Sequence, residues 1–135
     1  MLTRMLDTDM AIYVMRGRAR GLLDRFNTFA AELCISAITL GELHHGVERS
    51  QQVARNLEAL RHFIGRLVVL PFDERAAQHH GQIRAELEAA GQLCGAHDMQ
   101  IGGHARSQGL IVVTNNTREF ERMPGVRVEN WVAKG

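Results

Sequence analysis

The stretch that most constrains this chain is Arg4–Met10, RMLDTDM, in which Met5 and Leu6 run straight into Asp7, Thr8 and Asp9 and helix-compatible sequence follows. A short apolar run stopped by a carboxylate predicts a buried parallel strand with chemistry at its tip. In open α/β sheets, ligands sit outside the carboxyl ends of the strands. Such a strand is a candidate for the centre of the sheet. Asp7 suits equally well the N-cap of the following helix, a job that Asp and Thr both perform.

The rest of the chain alternates. Apolar residues at helical spacing (Ile12, Met15, Leu22, Leu23, Phe26, Phe29), broken around Gly17 and Gly21, predict two short helices. Glu32–Ser36 reads as a second strand, with Thr39 capping a helix over 40–50 that carries Glu42 in its first turn, where the helix dipole favours an acid. A helix over 51–65 leads to a third strand, Leu67–Leu70, stopped by Pro71. Asp73 then caps a long helix that ends at Gly91, with Ala76, Ala77, Ile83 and Leu87 facing inward. Asp98 opens a helix over 99–108, Leu110–Val113 is a fourth strand, 117–121 a helical turn and Val126–Val128 an edge strand. Strands alternating with helices predict a mostly parallel sheet of four to five strands flanked by helices. At 135 residues this is one α/β domain, 1–135.

Four acids share a position in this pattern. Asp7, Glu42, Asp98 and Glu119 each follow a predicted strand at or near a helix start, so a parallel sheet gathers them on one edge. Carboxylates brought together raise one another's pKa unless cations neutralise them. An oxygen-only cluster suits Mg²⁺, with Mn²⁺ as a substitute, and such ions assist phosphodiester hydrolysis. Glu119 lies one helical turn beyond Asn116, so it, rather than the neutral Asn116 amide, is expected to complete the cluster. Adjacent His44-His45 and His79-His80 point about 100° apart on a helix and make poor zinc pairs.

Charge and composition narrow the chemistry. Of 16 cationic residues, 15 are Arg and the single Lys is Lys134. No lysine is placed for a Walker A loop, a Schiff base or the phosphate clamp of a haloacid-dehalogenase-like phosphatase. An Arg-rich surface around an acidic hole suits an anionic polymer, although coding bias gives the same composition. The chain has no apolar run of the roughly 20 residues that span a bilayer and no signal-peptide pattern. It is expected to be cytoplasmic and reduced, with Cys34 a small buried hydrophobe.

MLDTD (5–9), SAITLGELHHGVERS (36–50), DMQIGGHARSQGLIVVTNNTREF (98–120) and PGVRVENW (124–131) together resemble the PIN-domain ribonucleases, and most of all the VapC toxins of bacterial toxin–antitoxin pairs. The resemblance runs nearly the whole length of the chain. It implies a Mg²⁺-dependent endoribonuclease that acts on RNA, is neutralised by a VapB-like antitoxin and forms a homodimer. It places Asp7, Glu42 and Asp98 on the family's acidic, metal-holding positions, and Thr114 and Asn116 beside them. Relatives with this motif set include enzymes of the tRNA anticodon region, which makes a tRNA loop the leading substrate. The chain departs from the family pattern at Asp9, often Asn, at Leu93-Cys94, often Pro-Ile, and at Gly102-Gly103, usually an Ala pair. The first adds negative charge near the cleft. The other two loosen the loop and helix that present Asp98, unless the glycines serve close backbone approach to a neighbour. The alternative reading is a non-catalytic PIN-like binding module.

Overall fold

The computed structural model describes residues 1–17 and 21–132. In chain order the elements are β1 (Arg4–Leu6), α1 (Thr8–Arg16), α2 (Leu22–Phe29), β2 (Leu33–Ser36), α3 (Ala37–Arg49), α4 (Val53–Ile64), β3 (Val68–Leu70), α5 (Glu74–Ala89), α6 (Ala96–Ser107), β4 (Ile111–Val113), α7 (Thr117–Glu121) and β5 (Arg127–Glu129). The five strands are all parallel in the order β3-β2-β1-β4-β5, so β1 is central and β5 an edge, as the sequence predicts. From β1 the chain winds outward through β2 to β3, then crosses back to lay β4 on β1's other side. The order therefore reverses between β1 and β4. That is the switch point at which open α/β sheets hold ligands.

Strand periodicity splits the core into two layers. Leu6, Leu33, Ile35 and Val113 face α1–α4, packed with Phe26, Leu43 and Phe63. Met5, Cys34 and Val112 face α5 and α6 on the other side, packed with Ile83, Ile101 and Phe120. Truncating a fully buried residue such as Leu6 to Ala costs about 2–5 kcal/mol. Cys34 is the small buried hydrophobe expected, its thiol pushed up to about 12 by burial. No described helix is long and apolar enough to cross a membrane.

Several local expectations are corrected. Ser36, not Thr39, caps α3: its hydroxyl accepts from the Ile38 N–H at 3.0 Å. The helix thus begins earlier, Glu42 falls in its second turn, and the helix dipole does not account for an acid there. Likewise α6 begins at Ala96 with Gly95 as its cap residue, so Asp98 lies inside the first turn and is not the cap. Ala77 is exposed whereas Ala76 is buried. Leu22 and Phe26 are core residues, and of the apolar residues predicted on the early helices Leu23 alone is largely exposed. Self-association draws no support from them.

The paired glycines of α6 sit where the helix meets its neighbours. A Cβ on Gly103 would stand 2.6 Å from the His80 backbone nitrogen, and one on Gly102 would strike the Met123 Sδ. α5 therefore crosses α6 at backbone contact, and the glycines seat the Asp98 helix closely instead of loosening it.

Candidate active site

The register of β1 on β4 builds the centre of the site. Leu6 pairs with Val113, so Asp7 and Thr114 emerge side by side at the ends of neighbouring strands. Asp7 is 2 % exposed. Its Oδ1 accepts from the Met10 N–H at 2.8 Å and caps α1, while its Oδ2 accepts from the Thr114 hydroxyl at 2.6 Å. Asp7 therefore does cap α1, as the N-cap reading expects, while its other oxygen is tied to the neighbouring strand. Burial, against these two hydrogen bonds, pushes its pKa up to about 6, with the Asp9 and Glu42 charges adding to the rise.

The other acids arrive from three further helices. Glu42, on α3, is fixed at both oxygens: Thr8 donates to Oε1 at 2.6 Å, and His97 Nδ1 stands 2.8 Å from Oε2. Asp98, in the first turn of α6, is pushed up to about 7 by burial and then by the charges of Glu119, Asp7 and Asp9. Glu119, on α7, is pushed up by partial burial. Donors outweigh this and hold it below the usual Glu value: the Gly95 N–H at 2.6 Å, then Asp98, the Asn116 amide and Cys94. Gly95 lies between the last two acids, and a Cβ there would stand 3.4 Å from both Asp98 Oδ2 and Glu119 Oε1. Asn116 also donates its backbone N–H to Thr114 Oγ1 at 2.8 Å. The Asn116 amide donates to Glu119, so the two side chains stand together at this rim.

A cavity of about 350 Å³ opens at this edge, lined by Thr8, Asp9, Glu42, Gly95, Ala96, His97 and Asp98. Among the described residues no three His, Cys, Asp or Glu side chains close into a ready-made metal cage. A hard divalent cation such as Mg²⁺ does not require one, since it keeps several waters and takes one or two carboxylates. The donor set is oxygen, and the crowded charge on Asp7 and Asp98 is what a bound dication relieves. The residues present fit such an ion.

Thr8, His97 and the Ser36–His104 pair were not singled out as site residues from sequence. Thr8 and His97 had a signal, each being adjacent to a candidate acid. His104 had none: it is fully buried on α6, with Nδ1 2.9 Å from Ser36 Oγ. It ties the Asp98 helix to the cap of the Glu42 helix.

Comparison with known proteins agrees with this geometry. The PIN domain family matches residues 4–126. The tRNA(fMet)-specific endonuclease VapC of Shigella flexneri is 50% identical over 131 residues, covering 97% of this chain and 99% of the relative. Ribonuclease VapC2 of Haemophilus influenzae is 47% identical over 132 residues, covering 98% and 100%. The crystal structure of DNA-bound VapBC from Salmonella typhimurium superposes with a TM-score of 0.94 at 50% identity, over 97% of this chain and 99% of that one. The chain belongs to the PIN-domain family, in its VapC branch.

Proposed function

We propose that this chain is the toxin of a type II toxin–antitoxin pair, a Mg²⁺-dependent endoribonuclease that cleaves a tRNA in its anticodon region. The observation that carries the reading is the gathering of Asp7, Glu42, Asp98 and Glu119 at the switch point of the sheet, with buried Asp7 held by Thr114. The half-identical Shigella relative, named for tRNA(fMet), supports that RNA as the substrate. The Salmonella VapBC structure supports a VapB-like antitoxin as the partner. A homodimer belongs to the same reading and rests on family membership.

In this account Asp7, Asp98 and Glu42 would surround the ion, one or two of them directly and the rest through its waters, and Glu119 completes the acidic rim. When bound, Mg²⁺ supplies charge neutralisation at the phosphate and an activated water. The chain's own residues do the orienting. Thr114 fixes the outer oxygen of Asp7, Thr8 and His97 fix Glu42, and the Gly95 N–H and Asn116 fix Glu119. Each such contact restricts a carboxylate to one rotamer before substrate arrives, which is how supporting groups sharpen a metal site.

The test is brief induction in a bacterial host, with sequencing of the RNA ends produced. Growth arrest, relief by the gene adjacent to this one, and new ends in one tRNA anticodon loop are expected. Harmless expression with no new RNA ends would reject the toxin reading.

A further inference from the structure

A second cavity, about 330 Å³, lies beside the acidic one and is lined by Asp9, Ile12, Tyr13, Arg16 and Asn115. Four of these residues are spaced i, i+3, i+4, i+7 and form one face of α1, while Met10, Ala11 and Val14 on the helix's other side are buried. Ile12 and Tyr13 pack partly against the core, which steadies the Tyr13 ring at the pocket wall. Arg16 is exposed, and no acidic side chain among the described residues lies within ion-pair distance of it.

Two observations place the cavities side by side. Asp9 lines both. Asn115 sits between Thr114, which holds Asp7, and Asn116, which holds Glu119. A polymer lying on the acids therefore runs directly into this pocket. Its lining of one aromatic ring, one guanidinium, one carboxylate and one amide is the set that receives an unstacked nucleotide. The base stacks on the ring, the carboxylate and amide meet its edge, and the guanidinium takes a phosphate. Asp9 repels phosphate at the shared wall, which leaves Arg16, one turn beyond Tyr13, as the phosphate's anchor.

We propose that this pocket is a nucleotide subsite, holding one single-stranded ribonucleotide next to the scissile phosphate, its base on Tyr13 and its phosphate on Arg16. It rests on the reading of the chain as an RNA hydrolase and goes beyond it, by naming residues that hold the substrate beside the cut.

The experiment is fluorescence anisotropy with a labelled anticodon stem-loop in Ca²⁺ buffer, comparing wild type with Tyr13→Ala, Tyr13→Phe and Arg16→Ala, each checked for folding by circular dichroism. Tyr13→Ala is expected to bind roughly tenfold more weakly, as for loss of one base–aromatic stack, and Tyr13→Phe to bind as wild type. Arg16→Ala is expected to weaken binding and lower the salt slope by about one. Wild-type affinity in Tyr13→Ala or in Arg16→Ala overturns the proposal. So does unchanged RNA binding in a Tyr13→Ala protein that escapes inhibition by its partner, which assigns the pocket to a protein contact. Hydrolysis of bis(p-nitrophenyl) phosphate by the wild type tests the hydrolase reading separately, so failure there is distinguishable from failure of the pocket.

Discussion

The Thr114 hydroxyl donates to Asp7 Oδ2 at 2.6 Å, joining residues 107 positions apart. The contact follows from register: Leu6 pairs with Val113, and the next residue on each strand meets the other. Replacing Thr114 by Val keeps the shape and leaves a buried carboxylate oxygen without its donor. Cleavage is expected to fall about 10–100-fold, the usual cost of removing an orienting partner. Thr114→Ser should recover most of it. Steady-state rates for the two variants check this, and equal loss in both would assign the effect to packing alone.

In the proposed account Asn116 acts through Glu119, to which its amide donates. Glu119→Gln is therefore expected to reduce cleavage more than Asn116→Ala, and the double variant to lose less than the two effects combined. Rates and Mg²⁺ affinities for the three proteins measure the coupling. Additive losses would mean that the two residues work independently.

Gly103→Ala places a methyl against the His80 backbone, which cannot yield as a flexible side chain can. Overpacking of this kind costs about 1–3 kcal/mol, partly offset by alanine's better helix propensity. Thermal denaturation should show a clear drop in Tm. Gly102→Ala, which meets only side chains, chiefly that of Met123, should show a smaller one.

His104 gives the fold a pH dependence of definite sign. Burial lowers its pKa, with the nearby Asp73 charge opposing, and its Nε2 has no hydrogen-bond partner. The folded protein therefore prefers the neutral ring, while the unfolded chain protonates near pH 6.5. Its contribution to stability is constant above that pH and declines as pH falls through it. Tm is expected to drop more steeply between pH 8 and pH 5.5 in wild type than in His104→Asn. Parallel curves would show that the buried ring does not titrate in that range.

Much of this architecture was legible because it is written in local patterns. An apolar run ended by Asp7 marks the central strand, and Asp73 does cap α5, accepting from the Ala76 N–H at 2.9 Å. What was not legible depends on contacts between distant segments. Ser36 and Thr39 both suit a cap, and the choice follows from where β2 stops pairing with β3. Thr39 is instead buried, 3.2 Å from the Thr8 hydroxyl. His104 is polar by type and fully buried by position, its ring against Phe72 and its Nδ1 against Ser36. The acids could be placed on one edge by strand counting. Their hydroxyl and amide partners could not, since each comes from another element.

The most direct test of the account is the initial rate at which purified protein cleaves a tRNA(fMet) transcript, measured for wild type and Asp7→Asn in Mg²⁺ and in EDTA. Asn can still cap α1 and accept from the Met10 N–H, so the variant is expected to fold. Wild type is expected to cleave in Mg²⁺, to stop in EDTA and to recover when Mg²⁺ or Mn²⁺ is restored, and Asp7→Asn to lose nearly all activity under every condition. Equal cleavage in EDTA, or a wild-type rate in Asp7→Asn, would contradict the account.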